Sequence, residues 1–183
     1  MNKNKLLMYL FIGSESFFFL ALIISYIYYI HTGKIPLDSS QYLDIKRTSV
    51  FTVALLSSSA TIFLAGFYLD RMNRKILQGW LGLTILLGLI FLVGQASEYI
   101  RLYHMNFRIS KNVLGSAFFT LTGFHGLHVL IGLIVLSIVF TMFLTRRFET
   151  IEKTALRTAA MYWHFVDSVW VAVFSVVYLG FLK

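Results

Sequence analysis

Five long apolar runs dominate this chain, and short polar segments separate them. The runs extend from about Leu6 to Ile30, Val50 to Leu69, Ile76 to Leu102, Val113 to Leu144 and Ala155 to Leu182. An α-helix needs ~20 apolar residues to cross a bilayer core, so the pattern predicts five membrane-spanning helices. Runs this long, without alternation of apolar and polar positions, argue against a β-barrel. The connections Asp70–Lys75, Asn106–Asn112 and Thr145–Lys153 are short, and the longest, His31–Arg47, holds the sole proline, Pro36. Short connections make sequential helices antiparallel neighbours. With no internal repeat, low-complexity tract or soluble domain in view, residues 1–183 read as one integral-membrane domain. The predicted class is all-α, a polytopic transmembrane bundle of five helices. Lys3 and Lys5 before the first run resemble the start of a signal peptide. The run is too long for that, carries Glu15 and lacks a small-residue cleavage site, which predicts a retained helix.

Composition narrows the chemistry. Apolar residues make up 58% of the chain and charged residues 13%, about half the usual quarter. The net charge of +8 lies in the connections, with no basic face for phosphates to track, so it anchors helix ends at headgroups and excludes nucleic acid as a partner. The absence of Cys excludes disulfides, iron–sulfur clusters, thiolate-ligated haem and a cysteine-ligated copper centre. Five scattered His are too few for a multi-metal redox core. Nine Lys and Arg flank the N-terminus and the second and fourth connections, against seven on the other side. That asymmetry predicts a cytoplasmic N-terminus and a C-terminus outside.

Small residues mark where helices touch: Ser57, Ser58, Ser59 and Thr61 in the second run, Gly79, Gly82 and Gly88 in the third, and Gly115, Gly123, Gly126 and Gly132 in the fourth. In lipid, helices associate by close packing and hydrogen bonds at such positions. The Phe17–Phe18–Phe19 run reads as bulk facing lipid or a partner.

Ionisable groups at membrane depth are costly, and mark function or pairing. Glu15 lies near mid-bilayer, where the hydroxyls of Ser14 and Ser16 are candidate hydrogen-bond donors; it supports proton handling or glues its helix to a neighbour. His125 and His128 share a helix face, as do His164 and Asp167. Haem ligation between the two helices fails on depth: His125 lies about 30 Å and His164 about 15 Å from their shared connection, at 1.5 Å per residue. His164 and Asp167 read as a polar clasp, with Trp163 and Trp170 packing the seam or donating indole N–H groups. Glu98, with Tyr99 and Arg101, suggests an ion pair at headgroup level. No nucleophile set, phosphate loop or metal-ligand cluster is visible.

Three groups of segments together resemble subunit III of the haem–copper terminal oxidases, in a short five-helix form. They are Tyr9-Leu10-Phe11-Ile12-Gly13-Ser14-Glu15-Ser16-Phe17; then Gln95-Ala96-Ser97-Glu98-Tyr99 with Gly123-Phe124-His125-Gly126-Leu127-His128; and Tyr162-Trp163-His164-Phe165-Val166-Asp167. The resemblance implies an accessory subunit without haem or copper of its own, packed against catalytic subunit I and its subunit II, which carry those metals. It implies bound phospholipid, support of proton uptake with the family's membrane carboxylate at Glu15, and a place in a respiratory complex or supercomplex. Against the seven helices of the long form, the first two lack a counterpart here, so part of the lipid cleft falls to another chain. The short form points to a bacterial inner membrane. Alternatives are a quinol-oxidase or nitric-oxide-reductase-associated relative, a stand-alone transporter and a di-haem cytochrome. Missing inverted repeats and broken helices argue against the transporter.

Overall fold

The computed structural model describes residues 3–31, 44–71, 73–105, 113–145 and 149–179. The connection holding Pro36, the Asn106–Asn112 loop, Arg146, Arg147 and the end of the last predicted run lie outside them. Among the described residues five helices follow one another: α1 (Lys3–His31), α2 (Ile45–Asp70), α3 (Arg74–His104), α4 (Val113–Thr145) and α5 (Glu149–Phe174), the last continued by a wider π-helical turn, Ser175–Leu179. All five are long and apolar enough to cross a membrane. The bundle is all-α, in agreement with the pattern of apolar runs.

Polar residues set the helix starts. Asp44 caps α2 by accepting from the Arg47 N–H at 3.1 Å, and Asn73 caps α3 by accepting from the Ile76 N–H at 3.4 Å. Both meet backbone donors that the first helical turn leaves unpaired. The fifth helix begins at Glu149, inside the segment that the charges of Thr145–Lys153 suggested as a loop. Glu and Lys are good helix formers, and here their charge marks the helix end rather than its absence.

Helices α2, α3, α4 and α5 form a closed ring in that order, each antiparallel to its neighbours. Hydrogen bonds tie every side. Thr61 and Thr84 hydroxyls meet at 2.8 Å between α2 and α3. The Gln78 amide donates to the Phe143 carbonyl at 2.9 Å between α3 and α4. Tyr162 donates to the His128 carbonyl at 3.1 Å between α4 and α5, and Trp170 Nε1 donates to Thr52 Oγ1 at 3.0 Å between α5 and α2. Such bonds average about 0.6 kcal/mol in membranes; together they fix which helix meets which.

The first helix departs from the sequential-neighbour rule. It packs on α4 and α5, outside the ring, and has no extensive contact with α2. Its connection to α2 is the longest of the four in sequence, so the short-connection argument for adjacent neighbours is weakest here. Most of α1 faces outward: Phe17 is 75% exposed, whereas Phe19, two residues on, is 2% exposed in the core. Phe19 thus departs from the role read for its run, bulk facing lipid or a partner, because its side of α1 is the one that meets α4.

Close approach is concentrated at a few glycines. A Cβ on Gly88 would lie 2.8 Å from both Leu133 and Trp163, and one on Gly94 would overlap the Phe51 ring. Gly79, by contrast, has open space around it and is not a contact within this chain. Gly88→Ala and Gly94→Ala are each expected to cost roughly 1–3 kcal/mol through overpacking, read as a lower thermal midpoint in detergent. Gly79→Ala should leave the midpoint unchanged or raise it slightly, since Ala favours a helix by about 1 kcal/mol over Gly.

Candidate functional site

The residues singled out by chemistry gather in the middle of the bundle and at its two ends. On the outer side, α1 brings Glu15 to His128 of α4, with Oε2 and Nε2 3.1 Å apart. The Ser14 and Ser16 hydroxyls do not serve Glu15; they donate to the Phe11 and Ile12 carbonyls at 2.8 and 2.7 Å, as serines inside helices commonly do. His128 Nδ1–H donates to the Phe124 carbonyl at 2.7 Å. A carbonyl only accepts, so Nδ1 carries a proton. The contact between Nε2 and Glu15 then holds one further proton, resident on the imidazole or on the carboxyl. Phe19 packs edge-on against the His128 ring at 5.0 Å.

This pair borders an open groove of about 940 Å³ between α1, α4 and α5. Its walls are mainly apolar, with Met8, Phe11, Val135, Ile138, Met142 and Ile151 among them, while Glu15, His128 and Tyr162 supply polar groups.

His125 lies one turn from His128 and faces the ring interior. It is fully buried, stacked on Trp170 at 4.7 Å with Phe91 edge-on at 5.9 Å. Neither ring nitrogen has a hydrogen-bond partner among the described residues. It does not meet His164, which lies on the opposite side of α5 against α2. Among the described residues no group of three or more His, Cys, Asp or Glu is arranged to hold a metal ion.

Trp163 is the centre of the arrangement. It is wholly buried and donates through Nε1 to Ser58 Oγ of α2 at 2.8 Å. The next residue, His164, places Nδ1 3.1 Å from Ser59 Oγ, and Ser59 donates to Asp167 Oδ2. His164 and Asp167 are therefore joined through Ser59 rather than directly. Both side chains lean from one face of α5 toward α2, and the serine hydroxyl sits between them. Ser59 carried only a packing signal in the sequence; its place among three serines gave no hint of which one bridges.

At the ends, Glu98 forms an ion pair with Arg101 one turn on, Nε to Oε2 at 3.0 Å, with Glu98 itself buried. Tyr99 is not part of that pair. It meets Thr122 Oγ1 at 2.7 Å, while Gln95 donates to the Thr122 carbonyl at 2.7 Å. At the opposite end Glu152 is buried and accepts from Arg74 at 3.3 Å. The Thr145–Lys153 charges predict a loop at Glu152; it lies instead on a helix that packs against the start of α3, and that position buries it.

Ser58→Ala would leave the Trp163 indole N–H buried and unpaired, which costs about 1–3 kcal/mol. We expect a lowered thermal midpoint in detergent, with tryptophan fluorescence reporting the loss of packing. Ser57→Ala, at an exposed position of the same helix, should leave the midpoint unchanged.

The chain as a whole is similar to known proteins. A sequence model of the family described as cytochrome c oxidase subunit III matches residues 2–181. The chain is 39% identical over 141 residues to a cytochrome c oxidase subunit 3 of Corynebacterium diphtheriae, covering 77% of this chain and 69% of that one. It is 35% identical over 180 residues to a cytochrome c oxidase subunit 3 of Bacillus subtilis, covering 97% and 87%. With the protein of the same name from a Synechocystis strain it shares 34% over 172 residues, 93% and 72% of the two chains. On the strength of a match along nearly its whole length, this chain belongs to the cytochrome c oxidase subunit III family.

Proposed function

We propose that this chain is the accessory subunit III of a proton-pumping haem–copper oxidase, seated in the membrane beside catalytic subunit I and its subunit II. The observation that carries it is the family match over residues 2–181, joined to a bundle of five membrane-length helices in which Glu15, Glu98 and Glu152 each meet a basic side chain. Oxygen reduction and its metals belong to the partner subunits; this chain stabilises the catalytic subunit and supports proton uptake.

Glu15 and His128 are the groups that support proton uptake. Their contact holds a single proton beside a groove open to the outside of the bundle, so it exchanges with groups at that surface without crossing the apolar core. The groove itself suits phospholipid acyl chains. Its volume of about 940 Å³ is at the upper end of ligand-sized clefts, ~300–1,000 Å³, and its walls are mainly apolar. The Glu98–Arg101 and Arg74–Glu152 pairs hold α3 and the start of α5 near the two membrane surfaces.

All 183 residues act as one integral-membrane domain in a bacterial inner membrane. The end that carries Arg71, Arg74, Lys75, Lys153 and Arg157 faces the cytoplasm, and the end with Lys46, Arg47 and Arg101 faces outward, in line with the positive-inside tendency. The N-terminus is then cytoplasmic and the C-terminus outside.

Membranes lacking this chain should retain the haem absorbance of the oxidase but reduce oxygen more slowly or lose activity during turnover. Glu15→Gln keeps a hydrogen-bonding partner for His128 and removes the ionisable carboxyl. Oxygen-electrode assays should then show lower turnover or faster inactivation at high pH, with haem content unchanged. Equal turnover of Glu15→Gln and the native complex at every pH would assign Glu15 to packing alone.

A further inference from the structure

Two buried acceptors receive no hydrogen bond among the described residues, and each lies in or beside a Glu–Arg pair. Glu152 is 1% exposed; its Oε2 accepts from Arg74, and its Oε1 has no partner there. Gln95, one turn from Glu98, donates through Nε2 to Tyr99 and to the Thr122 carbonyl, and its Oε1 likewise has none. Next to each pair lies a cavity of about 20 Å³. Tyr68, Asn73 and Lys153 line the first, together with Arg74 and Glu152. Thr48, Gln95, Glu98 and Tyr178 supply polar groups to the wall of the second.

We propose that each cavity is a binding site for one water molecule, which completes the hydrogen bonding of the Glu–Arg pair beside it. The inference concerns the interior of the chain and stands apart from its assignment as a subunit.

Size, polarity and charge select that occupant. One water occupies about 10–15 Å³ of such space and needs two to four polar partners. A cavity of about 20 Å³ admits one and leaves no space for lipid or a larger solute. Apolar cavities stay dry, but each of these walls carries a carboxylate and further polar side chains. A carboxylate offers about four acceptor positions, and a buried ion pair offsets its desolvation only when the remaining positions are also met. Arg74 and Arg101 already balance the charges of Glu152 and Glu98, so a metal cation would bring a charge with nothing to balance it. Glu152 Oε1, as a carboxylate oxygen, and Gln95 Oε1 only accept, so the occupant must donate. Water is the small neutral molecule that donates two hydrogen bonds. It also accepts, from Tyr68 or Lys153 at the first site and from Thr48 or Tyr178 at the second.

The test is a cryo-electron-microscopy map of the chain with its co-purifying partners in mild detergent, at a resolution that shows buried waters elsewhere in the assembly. One rounded peak is expected in each cavity. It should lie about 2.6–3.2 Å from Glu152 Oε1 in the first, and from Gln95 Oε1 or the Glu98 carboxylate in the second. Thr48→Val exchanges a hydroxyl on the wall for a methyl group of similar size. It should weaken the peak beside Glu98, leave the one beside Glu152 unchanged, and lower the thermal midpoint by roughly 2–4 °C, the shift of about one hydrogen bond in a chain of this length. Thr48→Ser, which keeps the hydroxyl, should restore both the peak and the midpoint. A cavity without density at either pair would overturn the proposal. So would a midpoint that rises when Na⁺ or K⁺ replaces a bulky organic cation at constant ionic strength, since that assigns the space to a metal cation.

Discussion

In a bilayer, lipid tails are as apolar as Leu, so burial of apolar surface does not by itself draw helices together; close packing and hydrogen bonds must do so. Trp163 meets that constraint for the whole ring. From α5 its ring lies where a Cβ on Gly88 of α3 or Gly132 of α4 would come within 2.8 and 2.9 Å, and its indole nitrogen donates to Ser58 of α2. One side chain thus registers all four ring helices against one another. Its neighbours along the chain inherit fixed directions. Tyr162 turns to α4 and holds the His128 carbonyl, while His164 turns to α2 and Ser59. Three consecutive residues address different parts of the bundle, and the polar network is arranged around the central one.

The outermost helix is held differently. Most of α1 is exposed, and its inward side offers a short aromatic contact, Phe18 against Phe124 at 5.1 Å and Phe19 against His128 at 5.0 Å. Between these and the groove sits the Glu15–His128 contact. A carboxyl and an imidazole sharing one proton tie α1 to α4, and the same pair forms the polar edge of an apolar cleft. Structural hold and the proton exchange proposed for Glu15 meet in this one contact. Pairing with His128 offsets the cost of a carboxyl near the middle of an apolar helix.

Five apolar runs with charge at their borders were enough to read the fold class, because the bilayer dictates both length and composition of a span. The family motifs also pointed to Glu15, His128, Trp163, His164 and Asp167. What the sequence did not carry was pairing. Helical spacing tells which residues share a face, but not how the helix is rotated or which neighbour that face meets. Glu15 and its partner lie on helices remote in sequence, and the serines beside Glu15 proved to bond to their own backbone. Ser59 became a bridge only once α2 was set against α5. Gly94 receives the Phe51 ring, yet it stood outside the glycines that looked like contacts, because its meaning depends on a large residue opposite. Glu152 looked like part of a loop until the start of α5 buried it against Arg74.

The proposed role of this chain is that of a redox-silent partner to a haem-bearing enzyme. The most direct test is a reduced-minus-oxidised spectrum of complexes purified through a tag on this chain in mild detergent. Haem bands that co-elute with oxygen-reducing activity, and that disappear when harsher detergent strips the chain from its partners, are the predicted result. A chain recovered colourless and alone from native membranes under the same mild conditions would contradict it, as would haem bands that persist on the isolated chain.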